Sequence, residues 1–169
     1  MKIAVISDSH DNFANIETFL LWIKDNPVDL IIHCGDIASA EAVMQLANGF
    51  VGPLHFVYGN ACFQEEIESK CKKIKNVFLH GKIGTLELDG KKFAFCHFPD
   101  LARDLAMEND YQVIFHGHTH KPWEEKLNDC LILNPGTLAG LYYPASFAIY
   151  DTMTGKRELK ILSQLKWKK

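Results

Sequence analysis

Three short apolar runs in the first 60 residues, each followed by a helical pattern, constrain the fold most strongly. They occupy residues 3–6, 30–32 and 54–58. Their β-branched composition is typical of strands buried on both faces. Amphipathic helices are predicted at residues 15–24, 39–47 and 64–71, with Ser39 as a candidate N-cap of the second. Because strands that alternate with helices favour a parallel sheet covered by helices, the sequence predicts an α/β fold.

The second half of the chain has a different pattern, which predicts an antiparallel half. Asp89-Gly90 separates two alternating segments, which predicts an antiparallel hairpin. A helix is predicted at residues 101–108 and strands at residues 113–115 and 130–133. A final hairpin is predicted from residues 146–150 and 158–162. We therefore expect two stacked sheets in a single domain of residues 1–169.

Composition excludes several functions. A net charge of -3 and a pI near 6.2 give no basic surface for extended nucleic-acid binding. No segment approaches the ~20 apolar residues that a membrane span needs. The chain has 5 cysteines, an odd number, without C-x-x-C spacing, so neither a disulfide framework nor a zinc knuckle is indicated. We expect a cytoplasmic protein.

Residues that can bind metal follow five predicted strands. They are Asp8 and His10, Asp36, Asn60, His97, and the run of histidines at 116, 118 and 120. In open α/β sheets, ligands bind beyond the carboxyl ends of the strands. We therefore expect these side chains at one edge, where mixed nitrogen and oxygen donors suit Mn, Fe, Zn, Ni or Co better than Ca or Mg. So many groups would overcrowd one ion, which favours two.

The order of these motifs resembles the calcineurin-like metallophosphoesterase superfamily, and the short chain with Asn134-Pro-Gly-Thr137 resembles its small bacterial and archaeal phosphodiesterase branch. The resemblance implies a four-layer α/β/β/α sandwich of two mixed sheets flanked by helices. It also implies that Asp8, His10 and His120 hold one metal, that Asn60, His97 and His118 hold the other, and that Asp36 bridges both. Gly117 is expected to turn the backbone sharply so that His118 and His120 can address adjacent ions.

Two divalent cations per chain are therefore expected, manganese first, with iron, zinc and nickel as alternatives. Cations ~3.5–4 Å apart generate hydroxide from a bridging water and neutralise the phosphoryl oxygens. The predicted enzyme is a metal-dependent phosphoesterase in which Asp36, Asn60 and His97 are catalytic. The resemblance favours a phosphodiesterase over a phosphomonoesterase, with a small or nucleotide-like phosphate ester as substrate.

The sequence departs from the family pattern after Gly59-Asn60, where an acidic group or histidine is common. Here Ala61-Cys62 follows, so a general-acid contribution of order 10²–10⁴ is missing or comes from another residue. Esters with good leaving groups should suffer least. Residues predicted to contact substrate are Asn12, Ala61, Cys62 and Phe98.

The remaining histidines are expected to have no chemical role: His33, His55 and His80 as packed or surface residues, and His116 as a non-ligand. Apolar residues 141–144 could form a homodimer patch or line the cleft. Asp11, Asn12 and Thr119 are candidates for supporting the metal ligands.

Two other functions compete with catalysis. The fold that the resemblance implies is similar to that of the retromer scaffold subunit, which serves mainly in protein assembly. A binding module with a weak or inactive site is therefore the alternative function. A metal-dependent DNA nuclease is disfavoured, because the sequence offers neither a basic groove nor a capping domain.

Overall fold

A computed structural model of the chain describes residues 1–108 and 110–166. Asn109 and the last three residues of the predicted domain lie outside the described residues. In the first half, strands and helices alternate as predicted. The elements are β1 Lys2–Ile6, α1 Phe13–Asp25, β2 Leu30–His33, α2 Ala40–Gly49, β3 Leu54–Phe56, α3 Gln64–Cys71 and β4 Val77–Leu79.

The second half contains one helix and seven strands among the described residues. They are β5 Ile83–Leu88, β6 Lys91–Cys96, α4 Pro99–Met107, β7 Val113–Phe115, β8 Trp123–Leu127, β9 Cys130–Asn134, β10 Ser146–Asp151 and β11 Arg157–Ile161. A short 3₁₀ helix, Leu162–Gln164, follows β11. No helix among the described residues is long and apolar enough to cross a membrane.

The strands form two mixed sheets. The first has the order β11-β10-β1-β2-β3-β4, in which β1 to β4 are parallel and β10 is antiparallel to β1. The second has the order β5-β6-β7-β9-β8, in which β6, β7 and β9 are parallel and the two edge strands are antiparallel. Two mixed sheets were predicted, but the second half is not an antiparallel unit, because its three central strands run in the same direction.

Three apolar clusters divide the molecule into four layers. Helices α1, α2 and α3 cover one face of the first sheet through residues such as Phe19, Leu46 and Ile67. The cluster between the sheets contains Ile3, Val5, Ile32, Phe93, Phe95 and Phe115. Helix α4 covers the outer face of the second sheet with Ala102 and Leu105. This layering matches the predicted α/β/β/α sandwich.

Local signals explain where two of the helices begin. The Ser39 side chain accepts a hydrogen bond from the backbone N–H of Ala42 and caps α2, as predicted. Helix α4 begins at Pro99, two residues before the predicted start, because proline fits the first turn where its missing N–H is not needed.

Two edge strands were not predicted. β8 has the sequence Trp123-Glu-Glu-Lys-Leu127 and is mostly exposed, so it lacks the apolar signal of a buried strand. β4 is three residues long and only Val77 in it is buried. Edge strands are often short or charged, because these features discourage pairing with other chains. Such strands lack the run of apolar residues by which a strand is predicted from sequence.

The carboxyl ends of the parallel strands of both sheets meet at one edge. Within the first sheet, the Asp8 N–H donates to the carbonyl of Gly35, 3.0 Å away. Between the sheets, His97 Nδ1 lies 2.8 Å from the carbonyl oxygen of Cys34. This edge holds the polar residues predicted from the sequence.

Candidate metal centre

The first cluster lies beyond the end of β1 and consists of Asp8, His10 and His120. Oδ1 of Asp8 is 3.3 Å from Nε2 of His120 and 3.9 Å from Nε2 of His10. The two imidazole Nε2 atoms are 3.2 Å apart. One carboxylate oxygen and two imidazole nitrogens therefore face a common point, which is a donor set typical of transition-metal sites.

The second cluster adjoins the first and consists of Asp8, Asp36 and His97. Nε2 of His97 is 3.3 Å from Asp36 Oδ2 and 3.2 Å from Asn60 Oδ1. Asp36 Oδ2 is also 3.9 Å from Nε2 of His10. Asp8 is common to both clusters, and Asp36 lies within reach of imidazoles from both.

His118 differs from the other predicted ligands. Its backbone N–H donates to Asp8 Oδ2 at 3.0 Å, and its ring lies 5.1 Å from the ring of His97. The side chain is exposed and is not a member of either cluster among the described residues. His118 therefore borders the second cluster, and its role as a ligand stays a prediction.

The buried carboxylate of Asp8 tests whether the site fits a cation. Asp8 is fully buried, and its Oδ1 atom has no hydrogen-bond partner among the described residues. A buried acceptor left unpaired costs about 1–3 kcal/mol, and more when it is charged. A cation among Asp8, Asp36 and the neighbouring imidazoles would satisfy this oxygen, so the donor set fits the metal centre that the sequence predicts.

The ionisable groups influence each other strongly. Burial raises the pKa of Asp8. Burial also acts to raise the pKa of Asp36, but hydrogen bonds from His97 and from the Ala61 N–H outweigh it and lower this pKa. For His97, burial acts to lower the pKa, and the adjacent Asp36 carboxylate outweighs it and raises the pKa. The two carboxylates therefore have different environments, although both face the same imidazoles.

Backbone carbonyls orient two of the imidazoles. His97 Nδ1 lies 2.8 Å from the Cys34 carbonyl oxygen, and His120 Nδ1 lies 3.2 Å from that of Leu141. A carbonyl only accepts, so each Nδ1 carries a proton, and each Nε2 is the nitrogen that faces the cluster and would bind a cation there. Sequence analysis missed these partners, since any residue supplies a carbonyl.

Five of the predicted ligand residues have left-handed backbone conformations. The φ angles are 51° at Asp8, 40° at His10, 57° at Asp36, 70° at His118 and 60° at His120. Residues other than glycine rarely adopt this region, and such strain persists only where the surroundings enforce it. Backbone strain is thus concentrated at the predicted ligands.

Two glycines allow the backbone to approach the carboxylates. A Cβ atom on Gly59 would lie 2.0 Å from Asp36 Oδ1, and one on Gly117 would lie 2.7 Å from Asp8 Oδ2. Gly117 itself lies outside the left-handed region, so its predicted role in a sharp turn stays a prediction. Its role is close approach, because any side chain there would collide with the Asp8 carboxylate and with Ser7.

Two residues predicted near the substrate or ligands have structural partners. The Asn12 side chain caps α1 by accepting from the Asn15 N–H, and its amide group donates to the carbonyl of Ala139. Asp11 Oδ1 accepts from the Ser39 N–H, 3.0 Å away. Both side chains therefore hold the loop that carries His10. Contact between Asn12 and a substrate stays a prediction.

The other predicted substrate residues lie around the second cluster. The Ala61 N–H donates to Asp36 Oδ1 at 2.8 Å, and the Cys62 thiol lies 3.4 Å from the Gly59 nitrogen. The Phe98 ring is 41 % exposed, and its centroid lies 4.9 Å from that of the His97 ring. Phe98 also lies 4.9 Å from the His118 ring. An exposed aromatic surface thus borders the cluster.

The four remaining histidines are outside both clusters. His55 Nδ1 and His80 Nε2 are 2.9 Å apart, and the His55 ring stacks on Phe78. His116 is buried, with Nδ1 3.1 Å from the Gly117 carbonyl. His33 is fully buried, and burial lowers its pKa to about 3.

Comparisons with known proteins agree with this architecture. A phosphodiesterase of Methanocaldococcus jannaschii is 29% identical over 143 residues, which cover 83% of this chain and 86% of the relative. The solved structure of an archaeal phosphodiesterase is 26% identical with a TM-score of 0.86 and covers 95% of this chain and 99% of that one. Vps29 of Entamoeba histolytica in complex with Zn²⁺ shares the fold at 17% identity, with a TM-score of 0.66 and coverage of 95% and 97%.

Two facing mixed sheets with an aspartate- and histidine-rich edge define an α/β phosphoesterase architecture. The sequence profile of the calcineurin-like phosphoesterase superfamily domain matches residues 1–155. The chain belongs to this superfamily, as its motifs predicted.

Proposed function

We propose that this chain is a phosphoesterase that uses two divalent cations and acts on phosphodiesters in preference to phosphomonoesters. The observation that carries the proposal is the buried pair Asp8 and Asp36, which shares one edge of the sheets with several imidazole nitrogens. Asp8 Oδ1 has no hydrogen-bond partner among the described residues. Buried charges of one sign need a counter-charge, and a divalent cation is the partner that these donors fit.

The proposed ligands divide into two sets with one shared carboxylate. Asp8, His10 and His120 would hold the first cation, Asn60, His97 and His118 would hold the second, and Asp36 would be shared by both. The position of Asp36 Oδ2, 3.9 Å from His10 and 3.3 Å from His97, supports the bridge. Manganese is the metal that we propose first, with iron, zinc and nickel as alternatives that the same donors tolerate.

When bound, the two cations supply a solvent-derived nucleophile at neutral pH and neutralise charge that develops on the phosphoryl oxygens. The chain contributes orientation. Because the Cys34 carbonyl holds His97 Nδ1, the other ring nitrogen faces Asp36 and Asn60. Asp36 stays ionised because its hydrogen bonds outweigh the effect of burial on its pKa. Asp36, Asn60 and His97 are the catalytic residues of this proposal.

Ala61 sets the range of leaving groups. It occupies the position at which the family resemblance implies an acid group or a histidine, and its methyl side chain cannot donate a proton to a departing alkoxide. General acid catalysis typically contributes 10²–10⁴-fold, so we expect turnover to depend steeply on the acidity of the leaving alcohol.

Two exposed aromatic residues support a diester substrate. Phe98 lies against His97 and His118, at one end of the proposed centre. Tyr142 is 94 % exposed and lies 5.8 Å from the ring of His120, at the other end. A diester carries two organic groups, and one aromatic surface is available for each. Planar nucleotide-like groups would stack favourably on these rings.

The cellular setting is also part of the proposal. All five cysteines lie in the described part of the chain and are free thiols, which supports a reducing cytoplasm. We propose that residues 1–169 form a single domain and that residues 141–144, of which Leu141, Tyr142 and Tyr143 are exposed, serve as a cleft wall or a homodimer patch. Extended nucleic-acid binding is not proposed.

Hydrolysis of two model esters tests the function. Metal-stripped protein is assayed with bis-p-nitrophenyl phosphate and with p-nitrophenyl phosphate, with and without added Mn²⁺, while bound metal per chain is counted. We expect diester turnover that requires metal at two ions per chain. A diester with a poor alkyl leaving group should turn over far more slowly. Metal-independent turnover, or one ion per chain at full activity, would contradict the two-cation mechanism.

A binding module of the same fold is the alternative function. Ala61-Cys62 in place of an acid group favours it, since this substitution removes a catalytic group but no proposed metal ligand. Vps29 of Entamoeba histolytica, which is not named as a phosphoesterase, has the same fold. Two bound ions per chain without turnover of either ester would support this alternative over the enzyme.

A further inference from the structure

His33, the last residue of β2, lies between the two loops that carry the buried aspartates. It is fully buried, and its ring stacks on Phe56 with 5.6 Å between centroids. We infer that His33 is a positioning residue of the metal centre, which ties the loop that contains Asp8 to the loop that contains Asp36. The inference rests on the proposed two-metal function and assigns a role to a residue that sequence analysis expected only to pack.

The hydrogen bonds of His33 define its tautomer. The Gly35 N–H donates to Nδ1 at 3.2 Å, so Nδ1 must hold a lone pair. The proton therefore resides on Nε2, which lies 3.0 Å from Ser9 Oγ and donates to it. A neutral ring thus uses both nitrogens. One contacts the residue before Asp36, and the other contacts the residue between Asp8 and His10.

Backbone hydrogen bonds join the same two loops on the other side. The Asp8 N–H donates to the Gly35 carbonyl, and the His10 N–H donates to the Asp36 carbonyl, both at 3.0 Å. Gly35 is thus held by its N–H and by its carbonyl. Since both backbone polar groups of Gly35 are fixed, the separation of Asp8 and Asp36 depends on a closed set of contacts that includes His33.

Gly35 also has little freedom to move toward the second cluster. Its φ angle is +99°, and a Cβ atom placed on it would lie 2.5 Å from Nδ1 of His97. The Gly35 backbone therefore packs directly on a proposed metal ligand. Because Asp8 and Asp36 have left-handed conformations that only surrounding contacts enforce, loss of the His33 hydrogen bonds would allow both loops to relax.

The test compares His33→Leu with His55→Leu. Leucine fills space at position 33 but pairs with neither the Gly35 N–H nor Ser9. His55 is a matched control, because it is a buried histidine on the neighbouring strand β3 whose partner is His80. Mn²⁺ affinity and stoichiometry are measured by calorimetry on the metal-stripped full chain, and thermal unfolding is measured in EDTA.

We expect His33→Leu to bind Mn²⁺ about 10–100-fold more weakly, as is typical when a residue that supports metal ligands is lost. His55→Leu should lose thermal stability but keep wild-type affinity. His33→Asn, whose Oδ1 can accept from the Gly35 N–H, should recover part of the affinity. At saturating Mn²⁺, kcat of His33→Leu should fall more than KM for the diester rises, since no substrate contact is removed.

Wild-type Mn²⁺ affinity in folded His33→Leu would overturn the inference and leave the proposed function standing. Absence of two Mn²⁺ sites in the wild-type chain would overturn both. If His33→Leu does not fold, Ser9→Ala decides the question, because it removes only the acceptor of the Nε2 hydrogen bond. We expect Ser9→Ala to weaken Mn²⁺ binding by several-fold with a modest loss of thermal stability in EDTA, since the buried Nε2–H loses its acceptor. Unchanged affinity would count against the inference.

Discussion

Two of the polar contacts between the first sheet and the second differ in how their charges are balanced. At one, Arg157 of β11 forms a two-pronged ion pair with Glu124 of β8 at 2.8 and 2.9 Å. Their side chains are 42 % and 51 % exposed. At the other, Asp8 and Asp36 of the first sheet face His97 and other imidazoles in a buried site.

The difference separates a structural contact from a functional one. The exposed pair is complete within the chain, because one cation meets one anion and water screens both, so it contributes little to stability. In the buried site two carboxylates approach the same imidazoles, and one carboxylate oxygen lacks a hydrogen-bond partner among the described residues. Such an arrangement persists where function requires it, and a bound cation is what would complete it.

The largest expected effect comes from Asp36→Asn. This change removes one buried negative charge and the proposed bridge, so Mn²⁺ occupancy should fall at both sites and turnover should drop by on the order of 10²–10⁴-fold. In EDTA the variant should lose only a modest part of its stability, because the asparagine oxygen can still accept from the Ala61 N–H although the charge that faces His97 is lost. Diester assays and thermal unfolding in EDTA measure the two effects. Glu124→Gln is the control and should keep full activity.

Retained turnover in a folded, metal-depleted Asp36→Asn protein would show that the buried carboxylates are not needed for function. A large loss of stability in EDTA would show instead that the buried carboxylates are structural, like the exposed pair.

Added metal should stabilise the folded chain by binding at the buried site, and the exposed ion pair should not contribute to this effect. At a free Mn²⁺ concentration of 100 times Kd, a single site raises the free energy of unfolding by about 2.7 kcal/mol. For a chain of this size that corresponds to a rise in Tm of roughly 5–10 °C. Differential scanning fluorimetry with Mn²⁺ against EDTA measures the rise. Glu124→Gln should show the full rise in Tm, and Asp36→Asn should lose most of it. Equal rises in both variants would contradict the assignment of Asp36 as a metal ligand.

Buried histidines away from the metal centre give a third kind of polar group, kept neutral by burial. Burial and the neighbouring His80 lower the pKa of His55 to about 4, below its ordinary value of 6.5. Below pH 6.5 the unfolded chain protonates this residue while the folded chain does not. The free energy of unfolding should therefore fall by up to ~1.4 kcal/mol per pH unit between pH 6.5 and about 4.

Urea unfolding across this pH range measures the slope, and His55→Leu should flatten it in metal-stripped protein. An unchanged slope in the variant would mean that other groups control acid unfolding.

The smallest expected effect is that of Glu124→Gln on stability. The exposed pair with Arg157 should contribute about 0.2–1 kcal/mol, and salt should reduce this contribution. The pKa of Glu124 is lowered by the hydrogen bond to Arg157, so the contribution is present above its unfolded pKa and is lost as pH falls through the folded pKa. Urea unfolding at low and high ionic strength checks it, and a loss of several kcal/mol would show that this contact is more than a surface pair.

Much of the fold could be predicted because the relevant signals are local. The β-branched run at residues 3–6 becomes β1, in which Ile3, Ala4, Val5 and Ile6 are all fully buried. Ser39 caps α2 as its position predicted. Metal-ligand residue types follow strands that become parallel, so their convergence at one edge follows from the direction of the strands.

The features that could not be predicted depend on distant parts of the chain. β8 is charged and exposed, so its pairing with β9 is decided by tertiary contacts. The hairpin of β10 and β11 was predicted as a hairpin, but its attachment to β1 depends on residues almost 150 positions apart. The role inferred for His33 depends on Ser9 and Gly35, which sequence spacing does not associate with it.

By itself, the sequence determined the alternation of strands and helices, the family, and the residue types available at the carboxyl ends of the strands, because these follow from local patterns of polarity and from motifs. Only the tertiary structure decided which sheet each strand joins, which imidazole nitrogen faces the carboxylates, and why Gly59 and Gly117 must lack side chains. The physical reason is that these features are set by distances between atoms far apart in the chain, and in a close-packed interior such distances exist only once all layers are in place.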